Sequence, residues 1–148
     1  MKNKGFTLVE LLTVIVVLSL LAAIAIPSTI AINSRIKEKL LEEKITFAEK
    51  SAILWAQDNK ECFTIDDCPY LESEEILFKS STVSKTASFN LEFLVIEKYY
   101  EYDEDTKIIN PFETDKCLNN YMVKVKYDKK SKMFTSDISL DNQESTCP

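Results

Sequence analysis

Lys4-Gly5-Phe6-Thr7-Leu8-Val9-Glu10-Leu11-Leu12 is the stretch whose reading decides this fold. It follows a short basic leader, Met1-Lys2-Asn3-Lys4, and opens an apolar run that lasts to Ile32. Gly5 is the only glycine in 148 residues. Ordinary domains carry about 7% glycine, spread over their turns. A glycine kept at one N-terminal place marks a backbone that another protein must approach closely, because no Cβ stands in the way. A basic leader, a glycine and then an apolar helix reads as a site to be cut.

The apolar run from Phe6 to Ile32 holds one charge, Glu10, and a few small polar residues, among them Thr13, Ser19, Ser28 and Thr29. About twenty apolar residues cross a bilayer core, so the run is long enough to span. Lys2 and Lys4 ahead of it place the N-terminus on the cytoplasmic side and send the rest outward. A secretory signal peptide fits poorly, since its apolar region is shorter and ends in a small-residue cleavage site. Ala22, Ala23 and Ala25 give only a weak version of one. Glu10 is the unusual residue. A carboxylate at mid-bilayer costs about 3 kcal/mol on insertion scales, and less near the interface. Either Glu10 reaches the head groups, or it waits for a cation. Cleavage between Gly5 and Phe6 would create such a cation, the α-amino group of Phe6, on a neighbouring copy. The second reading is preferred because the glycine and the carboxylate occur together.

These residues resemble the N-terminus of type IV pilins and pseudopilins, over about the first thirty positions. The resemblance implies cleavage after Gly5 by a membrane prepilin peptidase, N-methylation of Phe6, docking of the subunit through Glu10, and a helix bend at Pro27. It implies a lollipop-shaped α+β fold, with a long N-terminal helix, half transmembrane and half amphipathic, packed on a small antiparallel sheet. The implied partners are other copies of the chain, other pilins, the peptidase, the cell membrane and a pilus assembly platform. The chain would be single-pass in the membrane before assembly and extracellular, in a pilus or at the cell surface, afterwards. The domain plan is a leader over 1–5, a membrane and assembly segment over 6–32, an amphipathic helical half over 33–59, and a globular part over 60–148.

Beyond Asn33 the residues support that plan independently. Leu41, Ile45, Ala48, Ala52 and Trp55 recur at steps of four and three, one face of an α-helix, among alternating charges. Arg35 with Glu38 and Lys39 with Glu43 support an exposed helix modestly. No glycine or proline falls between Ser28 and Pro69. The helix is therefore expected from about Phe6 to Asp58 or Asn59, roughly 80 Å of it at 1.5 Å per residue.

Residues 60–148 can bury only a limited core and need covalent support. Cys62, Cys68, Cys117 and Cys147 provide it. An even cysteine count on the exported side argues for two disulfides, with three connectivities open. Cys62–Cys68 with Cys117–Cys147 is favoured because each closes a compact segment. Zinc is disfavoured, since the chain has neither histidine nor a Cys-x-x-Cys pair. No cofactor is expected.

The rest reads as α+β. Glu72 to Lys79 is a short helix or loop. Phe89 to Tyr100 is taken as helix with Asn90 as N-cap. Tyr121 to Tyr127 alternates as a strand with Val123, Val125 and Tyr127 on one face, Met133 to Leu140 is a second β-prone run, and Asp128 to Ser131 is the turn between them. Without glycine, left-handed positions are expected at Asn59, Asn119, Asn120 or Asn142.

Charge is uneven. Asp58 to Asp105 carries thirteen acids against four lysines. Glu101, Asp103, Glu104 and Asp105 form an acidic cluster without the ligand spacing of a calcium loop, so a solvated loop is the preferred reading. Lys124, Lys126, Lys129, Lys130 and Lys132 crowd the hairpin. A net charge of −6 weighs against DNA binding, leaving a wet surface or a patch complementary to a neighbour. With no histidine, glycine-rich loop or nucleophile motif, the chain is not read as an enzyme. The function expected is that of a structural subunit of a type IV pilus or pseudopilus. The alternative is a membrane-anchored extracellular binding module, or a minor pilin or pseudopilin of a secretion or DNA-uptake system.

Overall fold

One strand of the sheet alternates buried and exposed residues, and its buried row closes on one helix face. The computed structural model describes residues 7–65, 68, 76–113, 115–139 and 147, with the backbone alone over 24–31. The element order is α1 (Leu8–Asp58), α2 (Lys60–Thr64), β1 (Leu77–Ser80), β2 (Ser84–Asn90), α3 (Leu91–Ile96), β3 (Met122–Asp128) and β4 (Met133–Ser139). The chain divides into two compact units, 1–39 and 40–148.

In the first unit Leu8 to Ala23 are exposed throughout, and only Glu10, Thr13 and Ser19 among them are polar. Hydroxyls within it are satisfied locally. Thr13 donates to the Glu10 carbonyl at 2.9 Å and Ser19 to the Ile15 carbonyl at 2.7 Å. Among the described residues no helix is long and apolar enough to cross a membrane. The described side chains of the apolar run stop at Ala23, short of the roughly twenty that a bilayer core needs. The membrane span expected over 6–32 includes residues that lie outside this described set. Pro27 lies within the helical backbone of α1, but the bend expected there falls where side chains are outside the described residues.

In the second unit the four strands form one antiparallel sheet in the order β1-β2-β3-β4. Val125 on β3 sits opposite Ala87 on β2 and Ser136 on β4, and Phe78 on β1 sits opposite Ala87. The core row on β3 is Val123, Val125 and Tyr127, all buried. Against it packs the helix face Ala48, Ala52, Trp55 and Ala56, each fully buried. Trp55 is the one large residue among these four. That ring meets Phe63, Phe89 and Phe93 edge-on at centroid distances of 6.1, 4.8 and 5.5 Å. Such pairs add about 0.5–1.5 kcal/mol each beyond their burial. The indole N–H of Trp55 has no hydrogen-bond acceptor among the described residues, and the rings around it offer only weak π acceptance.

Several expectations are revised. Leu77 to Lys79 is strand, not helix or loop, and the residues from 69 to 75 lie outside the described set. Phe89 belongs to β2. The helix after it is short, and Asn90 precedes it without a side-chain cap. Asn59 has φ −102°. Among the described residues the left-handed positions are instead Lys98 (φ 64°), Asp105 (φ 40°) and Lys132 (φ 57°). Asn119 is buried and otherwise engaged: its carbonyl oxygen accepts the Ile108 N–H at 2.9 Å and its amide donates to the Thr106 carbonyl at 2.8 Å. Asn142 lies outside the described residues. The disulfides pair Cys62 with Cys68 and Cys117 with Cys147, each at a Cα separation of 4.9 Å.

Candidate functional site

The first turn of α1 closes on itself. Thr7 donates its backbone N–H to Glu10 Oε2 at 2.9 Å and its hydroxyl to the same oxygen at 2.8 Å. Glu10 returns its backbone N–H to Thr7 Oγ1 at 3.3 Å. This reciprocal arrangement satisfies helix-start donors that have no partner inside the helix. Glu10 is therefore not an idle carboxylate: within the chain it is half of a cap. Thr7 was not singled out from the sequence, although Thr7-x-x-Glu10 is the spacing that announces such a cap. Gly5 and Phe6, the expected cleavage and methylation positions, lie outside the described residues.

The second unit carries its functional groups in loops held against α1. Lys44 Nζ lies 2.6 Å from Asp103 Oδ2 and donates to the Ile109 carbonyl at 2.9 Å. Asp103 Oδ2 also accepts the Ile109 N–H at 2.8 Å. The lysine thus clasps two points of the 103–109 loop at once. Tyr99 donates its phenol to Asp58 Oδ2 at 2.7 Å, tying the same loop to the end of α1. That bond to a carboxylate pushes the Tyr99 pKa up to about 12. Burial, with the charge of Asp103 second, pushes Tyr100 up to about 12. Both phenols therefore stay neutral at ordinary pH. Phe47, half-exposed on α1, stacks obliquely on Tyr100 at 5.4 Å.

Of the acidic cluster, only Asp103 is drawn into the structure by its side chain, and its charge is already met by Lys44. Glu101, Glu104 and Asp105 are exposed. Among the described residues no group of three or more His, Cys, Asp or Glu is placed to hold a metal.

The disulfides and one buried lysine fix the far end of the domain. Cys62 leaves α2, and its partner Cys68 closes the loop that follows. Lys85, buried on the inner face of β2, reaches Ile65 at the end of α2 and donates to its carbonyl at 2.6 Å. Its ammonium also lies 5.2 Å from the centre of the Phe78 ring. A cation at a helix C-terminus meets the carbonyls left open there. Nothing in the sequence signals the roles of Lys44 or Lys85, because their partners lie 59 and 20 positions away. Cys117 is fully buried on a strand-like segment bridged to Ile109, so its bond ties Cys147 to the core.

Residues 1–26 match the prokaryotic N-terminal methylation motif, the signature of type IV pilins and pseudopilins. No curated protein and no solved structure is significantly similar to the chain.

Proposed function

We propose that this chain, a type IV pilin-like precursor by its N-terminal motif, is a structural subunit of a type IV pilus or pseudopilus, assembled through its N-terminal helix. The observation that carries the reading is the joint state of residues 7–23. A predominantly apolar helix is exposed in the isolated chain, and it contains a single carboxylate, Glu10, at its start. Such a helix is stable only inside lipid or against other apolar helices.

In this reading the peptidase removes residues 1–5 and Phe6 is methylated. The segment 6–32 is held by the membrane before assembly and by other copies afterwards. The amphipathic half over 33–59 and the globular part over 60–148 stand outside. Glu10 has two successive partners. In the free subunit Thr7 satisfies its carboxylate; in the filament the amine of Phe6 on a neighbour adds a countercharge. Both charges are costly in an apolar setting alone and less so as a pair.

The test is processing. A side chain at residue 5 obstructs access to the backbone, so Gly5→Val leaves the full-length precursor in the membrane. Intact-mass measurement of wild-type filaments finds a chain starting at Phe6 with one added methyl. Met1 retained in assembled material would sink the proposal.

A further inference from the structure

Charge in the second unit is divided between two surfaces. From Met122 to Ser139 the chain holds five lysines against two aspartates. Strand register sets Lys124 and Lys126 on the sheet face turned away from α1, and Lys129, Lys130 and Lys132 lie in the turn between β3 and β4. Lys126 sits between Thr86 and Thr135, with Lys79 beyond Thr86 in the same row, and Lys124 sits between Ser88 and Asp137 in the next. Lys79, Lys124, Lys126, Lys130 and Lys132 are exposed and make no ion pair among the described residues.

The acidic surface lies elsewhere. Glu92 to Asp105 holds six acids and one lysine. Part of it forms an open groove of about 490 Å³ beside α1, lined by Phe47, Lys98, Tyr99, Tyr100, Glu101, Tyr102 and Asp103. With Asp103 already paired to Lys44, neutral tyrosine faces and the Glu101 carboxylate suit a lysine side chain, whose stem packs on the rings while its ammonium meets Glu101. Glu101 makes no hydrogen bond or ion pair among the described residues.

We infer that the lysine-bearing sheet face and hairpin of one copy dock against the acidic, tyrosine-lined groove of another. This rests on the filament reading above and names the contact between the globular parts. Two copies cannot meet through the same patch, because lysine would face lysine. The contact is therefore heterologous, head to tail, and a heterologous contact that does not close into a ring propagates as a filament.

Zero-length carbodiimide coupling joins an amine to a carboxylate in direct contact. Cells assembling full-length chains, half of them ¹⁵N-labelled, should yield isotope-mixed cross-links between residues 122–132 of one copy and residues 97–105 of another. Lys124→Glu with Lys126→Glu, and separately Glu101→Lys with Glu104→Lys, should each lower filament yield by about tenfold, equivalent to about 1.4 kcal/mol. Combining both reversals in one chain should restore the yield, since the two surfaces again complement each other. Absent mixed cross-links, unchanged yields in the reversals, or no restoration in the combined chain with its disulfides intact would overturn the inference. Failure of the wild-type chain to enter any filament would instead overturn the filament reading, and cross-links between membrane-held copies would still decide this one.

Discussion

Lys44 and Asp103 meet at 2.6 Å across 59 positions of sequence, and both also bond the backbone of Ile109. The pair is a brace between α1 and the loop that carries the tyrosines and the free acids. Both side chains are only partly exposed, at 18% and 35%, so the bond is worth more than a freely solvated ion pair.

Lys44→Met should therefore destabilise the globular part by about 1–2 kcal/mol, because Asp103 is left with one backbone donor and the Ile109 carbonyl with none. Asp103→Asn should cost less, since an amide oxygen still accepts from Lys44 and from Ile109. Urea unfolding of the soluble part beginning near Leu40 measures both. Equal costs would mean that charge, not backbone bracing, governs the contact.

Thr7 and Glu10 separate capping from docking. Removing a helix cap costs about 1 kcal/mol of local stability. If Glu10 only caps, Thr7→Ala and Glu10→Ala should reduce filament yield alike. If it also meets the amine of Phe6 on a neighbour, Glu10→Ala should abolish assembly while Thr7→Ala leaves most of it, with cleavage after Gly5 continuing in both. Paired immunoblots of precursor and sheared filaments give the comparison.

The two disulfides close loops of different length, with sequence separations of 6 and 30. In the chain-entropy account the short loop contributes about 2.5 kcal/mol and the long one about 3.5 kcal/mol. Cys117→Ser with Cys147→Ser should thus lower the denaturation midpoint more than Cys62→Ser with Cys68→Ser. Non-reducing peptide mapping of the mature protein should recover the same two pairs, and crossed pairs would contradict the core placement of Cys117.

Tyr99 and Tyr100 make stability depend on pH at the alkaline end. Their folded pKa values, about 12, lie above the ordinary value of 10.0. Folding thus favours the neutral phenols. That contribution is complete below pH about 10 and is lost as pH climbs through about 12. Ultraviolet titration should show two late-ionising tyrosines, and Asp58→Asn should bring Tyr99 back toward its ordinary value. An unchanged titration would mean that the Tyr99–Asp58 bond does not form in solution.

Lys98 ends α3 where glycine usually stands. Its N–H bonds to the Val95 carbonyl and that of Tyr99 to the Leu94 carbonyl, the paired bonds of a left-handed helix stop. A residue with a Cβ is strained at φ 64°. Lys98→Gly should stabilise the domain by about 0.5–1 kcal/mol, part of the relief being offset by the freer unfolded chain. A lower melting temperature for this variant would contradict the assignment.

How much was legible in advance depended on the range of the interaction. β3 shows in the sequence because Val123, Val125 and Tyr127 alternate with polar residues, whereas β4 shows only as a β-prone run, since Ser136 interrupts the inward row of Phe134 and Ile138. β2 does not, because its inward row is Lys85, Ala87 and Phe89, and only one of these is a large apolar residue. β1 is four residues long and too short for any period to register. The left-handed positions fell to lysine and aspartate because hydrogen bonds to the core had already claimed Asn119. The sequence by itself determined the N-terminal motif, the apolar segment with its lone carboxylate, and the helix face through Ala48, Ala52 and Trp55. Each is a local pattern whose spacing carries its own meaning. Only the tertiary structure decided which cysteines join, which acid Lys44 braces, where Lys85 is buried, and that scattered lysines share one sheet face. Those outcomes depend on which distant segments pack together, and a chain that pairs residues 59 positions apart leaves no local trace of the choice.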